Sequence, residues 1–108
     1  MANTFKVLNW SAADAAGSNT YTVPAATTAI VLQLQAAHGG SGTHPVSATV
    51  ADTSAGNTEV IAKTVSVPLN AAIGVVAGKQ VLEATDVLDV FSDAVSQIDV
   101  TLSILEIS

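Results

Sequence analysis

Two histidines flank a glycine-rich segment, and their imidazoles are the first side chains in the sequence that could do chemistry. His38 and His44 stand at the two ends of HGGSGTH. Imidazole is a common zinc ligand, but a zinc site needs three or four ligands, and this segment contains no carboxylate. We therefore predict no metal site, and we expect residues 38–44 to form a solvent-facing loop.

The sequence matches two motifs of catalytic or phosphate-binding proteins only in part. Ser41 has Thr43 where the Gly-x-Ser-x-Gly elbow of hydrolases needs its second glycine. Gly78 and Lys79 are followed by Gln80 and a predicted strand, whereas a phosphate loop continues with Ser or Thr into a helix. We predict that the protein is not an enzyme, and that it has no catalytic residue, no cofactor-binding residue and no cofactor.

Acidic residues gather near the end of the sequence. Six of the nine lie in its last quarter, namely Glu83, Asp86, Asp89, Asp93, Asp99 and Glu106. Calcium prefers several carboxylate oxygens, but the spacing is not that of an EF-hand loop. A carboxylate pair for glycoside hydrolysis stays open as an alternative. The chain has only four aromatic residues that could stack against a sugar ring, however. We interpret the six acids as turn residues and solvent-facing strand positions.

Strand patterns position all of these side chains. β-Branched residues alternate with polar ones between clusters of Gly, Pro, Asn and Asp, which indicates short strands. No segment of ten or more residues has a helical period. Many strands with turns every eight to twelve residues or so are typical of a sandwich or barrel. We predict an all-β fold: a single antiparallel β-sandwich of seven or eight strands over residues 1–108, immunoglobulin-like or jelly-roll.

Two strands show the alternation most clearly. In residues 97–107 the predicted core face comprises Ile98, Val100, Leu102 and Ile104. In residues 28–36 it comprises Ile30, Leu32, Leu34 and Ala36. Two other predicted strands each end in a Val-Pro pair, at Pro24 and Pro68. We interpret this repeated pattern as the same type of turn used twice, because proline cannot donate a hydrogen bond to a neighbouring strand. Trp10 ends the first predicted strand, where its amphipathic ring suits a core or interface anchor.

Charge is scarce over the whole chain. Three Lys, no Arg and nine acids make 11% of the 108 residues, against about 25% in typical domains. A folded chain of 10.8 kDa exposes roughly 5,500 Å², so there is one charged residue for roughly every 460 Å² of accessible surface. We infer flanks that are covered by neighbouring molecules. The alternative is a neutral, Thr-rich surface that is open to water.

The same composition argues against several kinds of partner. A net charge of −6 with scattered lysines cannot neutralise a phosphate backbone, so we expect no nucleic acid. The first ten residues lack a signal-peptide pattern. Residues 15–51 are uncharged but broken by Pro and Gly, which argues against a transmembrane helix, and we expect no membrane partner. The absence of cysteine excludes disulfides and thiolate chemistry.

Several strings of turn and strand residues resemble a known group of proteins. They are YTVPAATTAIVLQLQAA, HPVSATVAD, IAKTVSVPLNAAIGVVAGKQVLEATDVLDV and the ending IDVTLSILEIS. Over most of the chain they resemble small virion proteins of tailed bacteriophages, although Ala26 and Thr85 stand where that group has turn glycines. The group is structural, so the resemblance implies neither an activity nor a cofactor.

Resemblance and scarce charge lead to one expectation. We predict a phage virion structural protein, most specifically a capsid decoration or cement protein that stabilises the shell by bridging capsid subunits. The expected partners are copies of the chain itself, in a homotrimer or ring, and major capsid or other virion proteins. The expected location is the virion, assembled in the bacterial cytoplasm. The alternatives are a neck, tail or fibre-associated virion component, and a soluble module that recognises carbohydrate or a host surface.

Overall fold

The computed structural model describes residues 3–11, 20–42, 44–76, 79–93 and 97–108. These ranges hold nine strands and no helix, which confirms the all-β prediction: β1 (Asn3–Ser11), β2 (Thr20–Thr22), β3 (Thr28–His38), β4 (His44–Asp52), β5 (Asn57–Val67), β6 (Ala72–Gly74), β7 (Gln80–Leu82), β8 (Val87–Ser92) and β9 (Ile98–Ile107). They accordingly offer no helix long and apolar enough to cross a membrane. Thr43 and Gly78, which entered the motif predictions, lie outside the described residues.

The strands form two antiparallel sheets with the strand order of a jelly roll. The first sheet runs β1-β9-β3 with β6 and β7 both against β3, and the second runs β2-β8-β4-β5. The pairs β1–β9, β2–β8, β3–β6/β7 and β4–β5 are nested, so the chain is one long hairpin folded over on itself. This is the jelly roll of the two predicted topologies. Because β6 and β7 share one strand position, the nine strands fill eight positions.

Three corners carry the chain from one sheet to the other by a shared device. Each has a buried aliphatic residue followed three positions later by a positive φ: Val23 with Ala26 (56°), Val67 with Asn70 (64°), and Leu82 with Thr85 (68°). In each corner the turn begins at the residue after the aliphatic one, so the positive φ falls on the third residue of the turn. A positive φ at that position is characteristic of a type II turn, which favours glycine or asparagine there. Ala26 and Thr85 therefore keep a glycine-type turn without glycine, at a cost of about 1 kcal/mol each.

The core lies between the sheets and is almost entirely aliphatic. On β9 the prediction is confirmed, because Ile98, Val100, Leu102 and Ile104 are all buried. The accessible surface is 5524 Å², in line with the value expected from the mass.

On β3 the predicted face is wrong in its first half. The pairing of β3 with β9 shifts register between Val31 and Gln33, so Leu32 is a bulge residue. Ala29 and Val31 are buried before the bulge, and Leu34 and Ala36 after it. A bulge inserts one residue and exchanges the two faces of the strand beyond it. Ile30 is therefore half-buried and Leu32 exposed, instead of both lying in the core.

Candidate functional site

An open apolar row crosses the outside of the first sheet. Phe5 on β1 lies opposite Leu105 on β9, and Leu105 lies opposite Ile30 on β3. Ile30 in turn lies opposite Val81 on β7. Residues directly opposite one another in neighbouring strands share a face. Phe5 is 73% and Val81 57% exposed, while the two central residues are half-buried. We call these four residues the apolar row.

The rest of this outer face is nearly free of charge. Val7 and Ile107 stand two residues from the row on β1 and β9 and point the same way. The other described residues that register places on this face are small or uncharged polar ones: Asn3, Asn9, Ser11, Thr28, Gln33, Gln35, Ala37, Ala72, Gly74, Thr101 and Ser103. Asp99 is the one charged residue that register places there, and it accepts a hydrogen bond from Ser11 Oγ at 3.2 Å.

The outer face of the second sheet has the same sparse charge. Among its described residues one carboxylate, Asp89, lies on this face between Thr20 and Thr49, and it is buried. The other described charged residues lie at the ends, on edge strands or beside them, or in an ion pair: Asp52, Glu83 and Asp86 at one end, Asp93 at the other, Glu59 and Lys63 on edge strand β5, Lys79 beside β7, and Lys6 of edge strand β1 with the buried Glu106. The thin charge predicted from composition is therefore concentrated away from the flanks.

The two histidines come together at one end of the sandwich. Their ring centroids are 5.5 Å apart, and Asp93 Oδ1 lies 2.7 Å from His44 Nδ1. His38 is 2% exposed, not solvent-facing as predicted, because it is the last residue of β3 and pairs with Ile98 on the core side. Its Nδ1 accepts a hydrogen bond from Gly40 N at 3.2 Å, and its Nε2 has no hydrogen-bond partner. These three side chains do not bring three ligand atoms together.

Three carboxylates converge at the opposite end. Atoms of Asp52, Glu83 and Asp86 lie within 4.8 Å of one another. Asp86 accepts hydrogen bonds from Thr53 N at 3.1 Å and Glu83 N at 2.9 Å, so it ties the β4–β5 turn to the β7–β8 corner. A hydrogen bond from the Ser54 hydroxyl lowers the pKa of the Asp52 carboxyl. This confirms Asp86 as a turn residue, and the contacts of the cluster are those of turn capping.

A polar link between the two sheets was missed from the sequence; its carboxylate and its hydroxyl-bearing ring are buried, and its ammonium group is on an exposed side chain. Tyr21 Oη donates to Glu106 Oε2 at 2.5 Å, and Lys6 Nζ lies 2.8 Å from Glu106 Oε1. The prediction of a turn or solvent-facing role is wrong for Asp89, which is buried on β8, and also for Glu106, which is buried on β9. The position of Glu106 two residues after Ile104 on β9 was the available signal, since alternation places it on the core face.

A shallow groove lies where β1 meets the start of β9. Its volume is about 380 Å³, and it is lined by Asn9, Trp10, Ser11, Asp99, Val100 and Thr101. Trp10 packs partly against the core, which agrees with its predicted anchor role. The four aromatic residues are dispersed: Phe5 and Phe91 lie on strands of different sheets, and Tyr21 is buried against Glu106. They form no stacking platform for a sugar ring.

Comparison of the chain with protein-family models and with curated protein sequences finds no match. The candidate site is therefore defined by geometry alone. It is the outer face of the first sheet, with the apolar row at one end and Asp99 at the other. Apart from Asp99, its described side chains are apolar, small or uncharged polar ones, a composition suited to contact with another molecule.

Proposed function

We propose that the protein is a structural component of a tailed-phage virion, specifically a capsid decoration or cement protein that bridges neighbouring capsid subunits. The observation that carries this proposal is the placement of charge. Register places one carboxylate on each outer face, and the other described charges lie at the ends, along the edge strands or in the Lys6–Glu106 ion pair. Such a slab can be packed between neighbours with few charges to bury, which limits the cost of removing unpaired charge from water. The resemblance to small virion proteins supplies the setting.

Apolar and threonine-rich surface would supply the affinity. Each square ångström of apolar surface removed from water contributes about 25 cal/mol. A protein that contacts two or more shell subunits must be detached before those subunits separate, so its binding stabilises the shell. The proposed partners are the major capsid protein and further copies of the chain in a closed assembly such as a trimer or a ring.

Two alternatives use the same molecule differently. A neck, tail or fibre-associated component would present the same flanks to another virion protein. A soluble module that binds carbohydrate or a host surface belongs to a different class, and the groove beside Trp10 is the feature that favours it. In the leading proposal the protein resides in the virion, after assembly in the bacterial cytoplasm.

Reconstitution on capsids tests the proposal. Shells of a phage that encodes this chain would be prepared without it, mixed with the purified protein and sedimented. We expect binding at a fixed ratio to the major capsid protein, and a higher temperature for shell disruption in light scattering. Recovery with isolated necks or tails would favour the first alternative. No association with any particle fraction would contradict a virion role.

A further inference from the structure

We propose that the outer face of the first sheet binds the same face of a second copy, about a twofold axis that runs parallel to the strands. This inference rests on the proposed function in one respect, namely that the flanks are covered in the assembled state. A second copy fits this face because of the area of the face, its sparse charge and the position of the apolar row.

The size of the face suits a stable pair. Four strand positions spaced about 4.8 Å apart, and the ten residues of β9 at about 3.3 Å each, outline about 600 Å². Protruding side chains raise the accessible area above this outline. A standard protein–protein interface removes roughly 800 Å² from each partner. One whole sheet face therefore approaches what a specific contact needs.

Charge restricts the ways in which two copies of the chain can approach one another, and it favours contact through this sparsely charged face. Two chains of net charge −6 repel one another wherever their carboxylates meet. On this face Asp99 stands at the end of the strands opposite the apolar row. Under the proposed axis β9 faces β3 of the second copy, so Asp99 comes opposite Ala37, its own register partner on β3. The two Asp99 carboxylates are then diagonal neighbours across the axis, one strand spacing of about 4.8 Å apart along the sheet, and do not lie directly opposite one another.

The same axis makes the apolar row complementary to itself. The strand order β1-β9-β3-β7 faces β7-β3-β9-β1, and each residue keeps its level along the strands. Phe5 therefore faces Val81 of the second copy, and Leu105 faces Ile30. Aligned face-to-face sheets pack about 10 Å apart with their strands within about 30° of one another, which preserves this order. Two trimers could be joined by three such contacts, so the pair is compatible with a threefold assembly.

Solution mass with a matched pair of substitutions provides the first test. Val81 lies in the row, whereas Val60 lies on the second sheet, and both are 57% exposed. We expect light scattering behind a sizing column to give an even multiple of the 10.8 kDa chain. Val81→Ser should raise the dissociation constant of the pair by about tenfold or more, because a twofold contact contains the substituted position twice. Val60→Ser should leave the pair intact, and circular dichroism checks that both variants fold.

A charge-pair rescue tests the geometry itself. Phe5→Lys alone and Val81→Glu alone should each disrupt the pair, while the double variant should restore it, because the new ammonium faces the new carboxylate of the second copy. Within one chain the two positions are three strand spacings apart, about 14 Å, beyond the screening length of about 8 Å at physiological salt. Rescue therefore reports contact between copies.

The inference would be overturned by a monomer at all concentrations, by equal effects of Val81→Ser and Val60→Ser, or by a double variant no better paired than the singles. None of these measurements involves a capsid. Loss of the pair with retained shell binding would reject this inference alone, and a robust pair with no particle binding would reject the virion role alone.

Discussion

At the scale of single residues, the link of the exposed Lys6 to the buried Glu106 and Tyr21 couples folding to pH. Hydrogen bonds from Lys6 and then from Tyr21 lower the pKa of Glu106 below its ordinary value of 4.5. Burial, followed by the hydrogen bond to Glu106, raises the pKa of Tyr21 far above its ordinary value of 10.0. Glu106 therefore contributes stability above pH 4.5 that is lost as the pH falls, and Tyr21 contributes stability below pH 10 that is lost as the pH rises.

The substitution Tyr21→Phe tests this link, because it removes the hydroxyl and keeps the ring. We expect a loss of about 2 kcal/mol in the free energy of unfolding at pH 7, the typical size of a hydrogen bond to a charged group. Tyr21 is the one tyrosine in the sequence, so the decline of stability above pH 10 should become shallower. Urea unfolding between about pH 3 and 11 measures both effects. An unchanged alkaline limb would show that the hydroxyl is already solvated in the folded state.

At the scale of strands, the sequence predicts elements better than it predicts their faces. The core face of β9 follows from alternation because its pairing with β1 is unbroken. The core face of β3 does not, because the bulge at Leu32 leaves no mark in the pattern of apolar residues. The apolar row was missed for a related reason. It requires the register of β1 against β9, which lie at opposite ends of the chain, and local periodicity carries no information about register.

Two neighbouring substitutions distinguish the bulged strand from a regular one. Val31→Thr places a hydroxyl at a fully buried site, and we expect it to lower the free energy of unfolding by about 1–3 kcal/mol. Leu32→Thr alters an exposed bulge residue and should cost about 0.5 kcal/mol or less. Uninterrupted alternation predicts the reverse order. Urea unfolding at a protein concentration too low for self-association would decide between the two.

At the scale of the whole molecule, the distribution of charge matters more than its amount. The described residues place one carboxylate on each outer face, while three carboxylates converge at one end, and Asp93 with two histidines occupies the other. A molecule of net charge −6 that presents sparsely charged flanks can associate side by side, because its charged ends then stay in water. Composition alone predicted thin charge, whereas only the register assigns each strand charge to a face or an edge.

This arrangement predicts how salt affects self-association. The contact proposed between two outer faces contains no ion pair for salt to screen, whereas the repulsion between two molecules of net charge −6 is screened as the Debye length falls from about 30 Å at 0.01 M salt to about 3 Å at 1 M. The dissociation constant of the pair should therefore stay constant or fall slightly over that range in light scattering. The Val81→Ser variant, compared at the same concentration, should remain dissociated at both salts. A pair that comes apart at high salt would mean that the charged ends or edges make the contact, and that the sparsely charged outer faces are exposed to water.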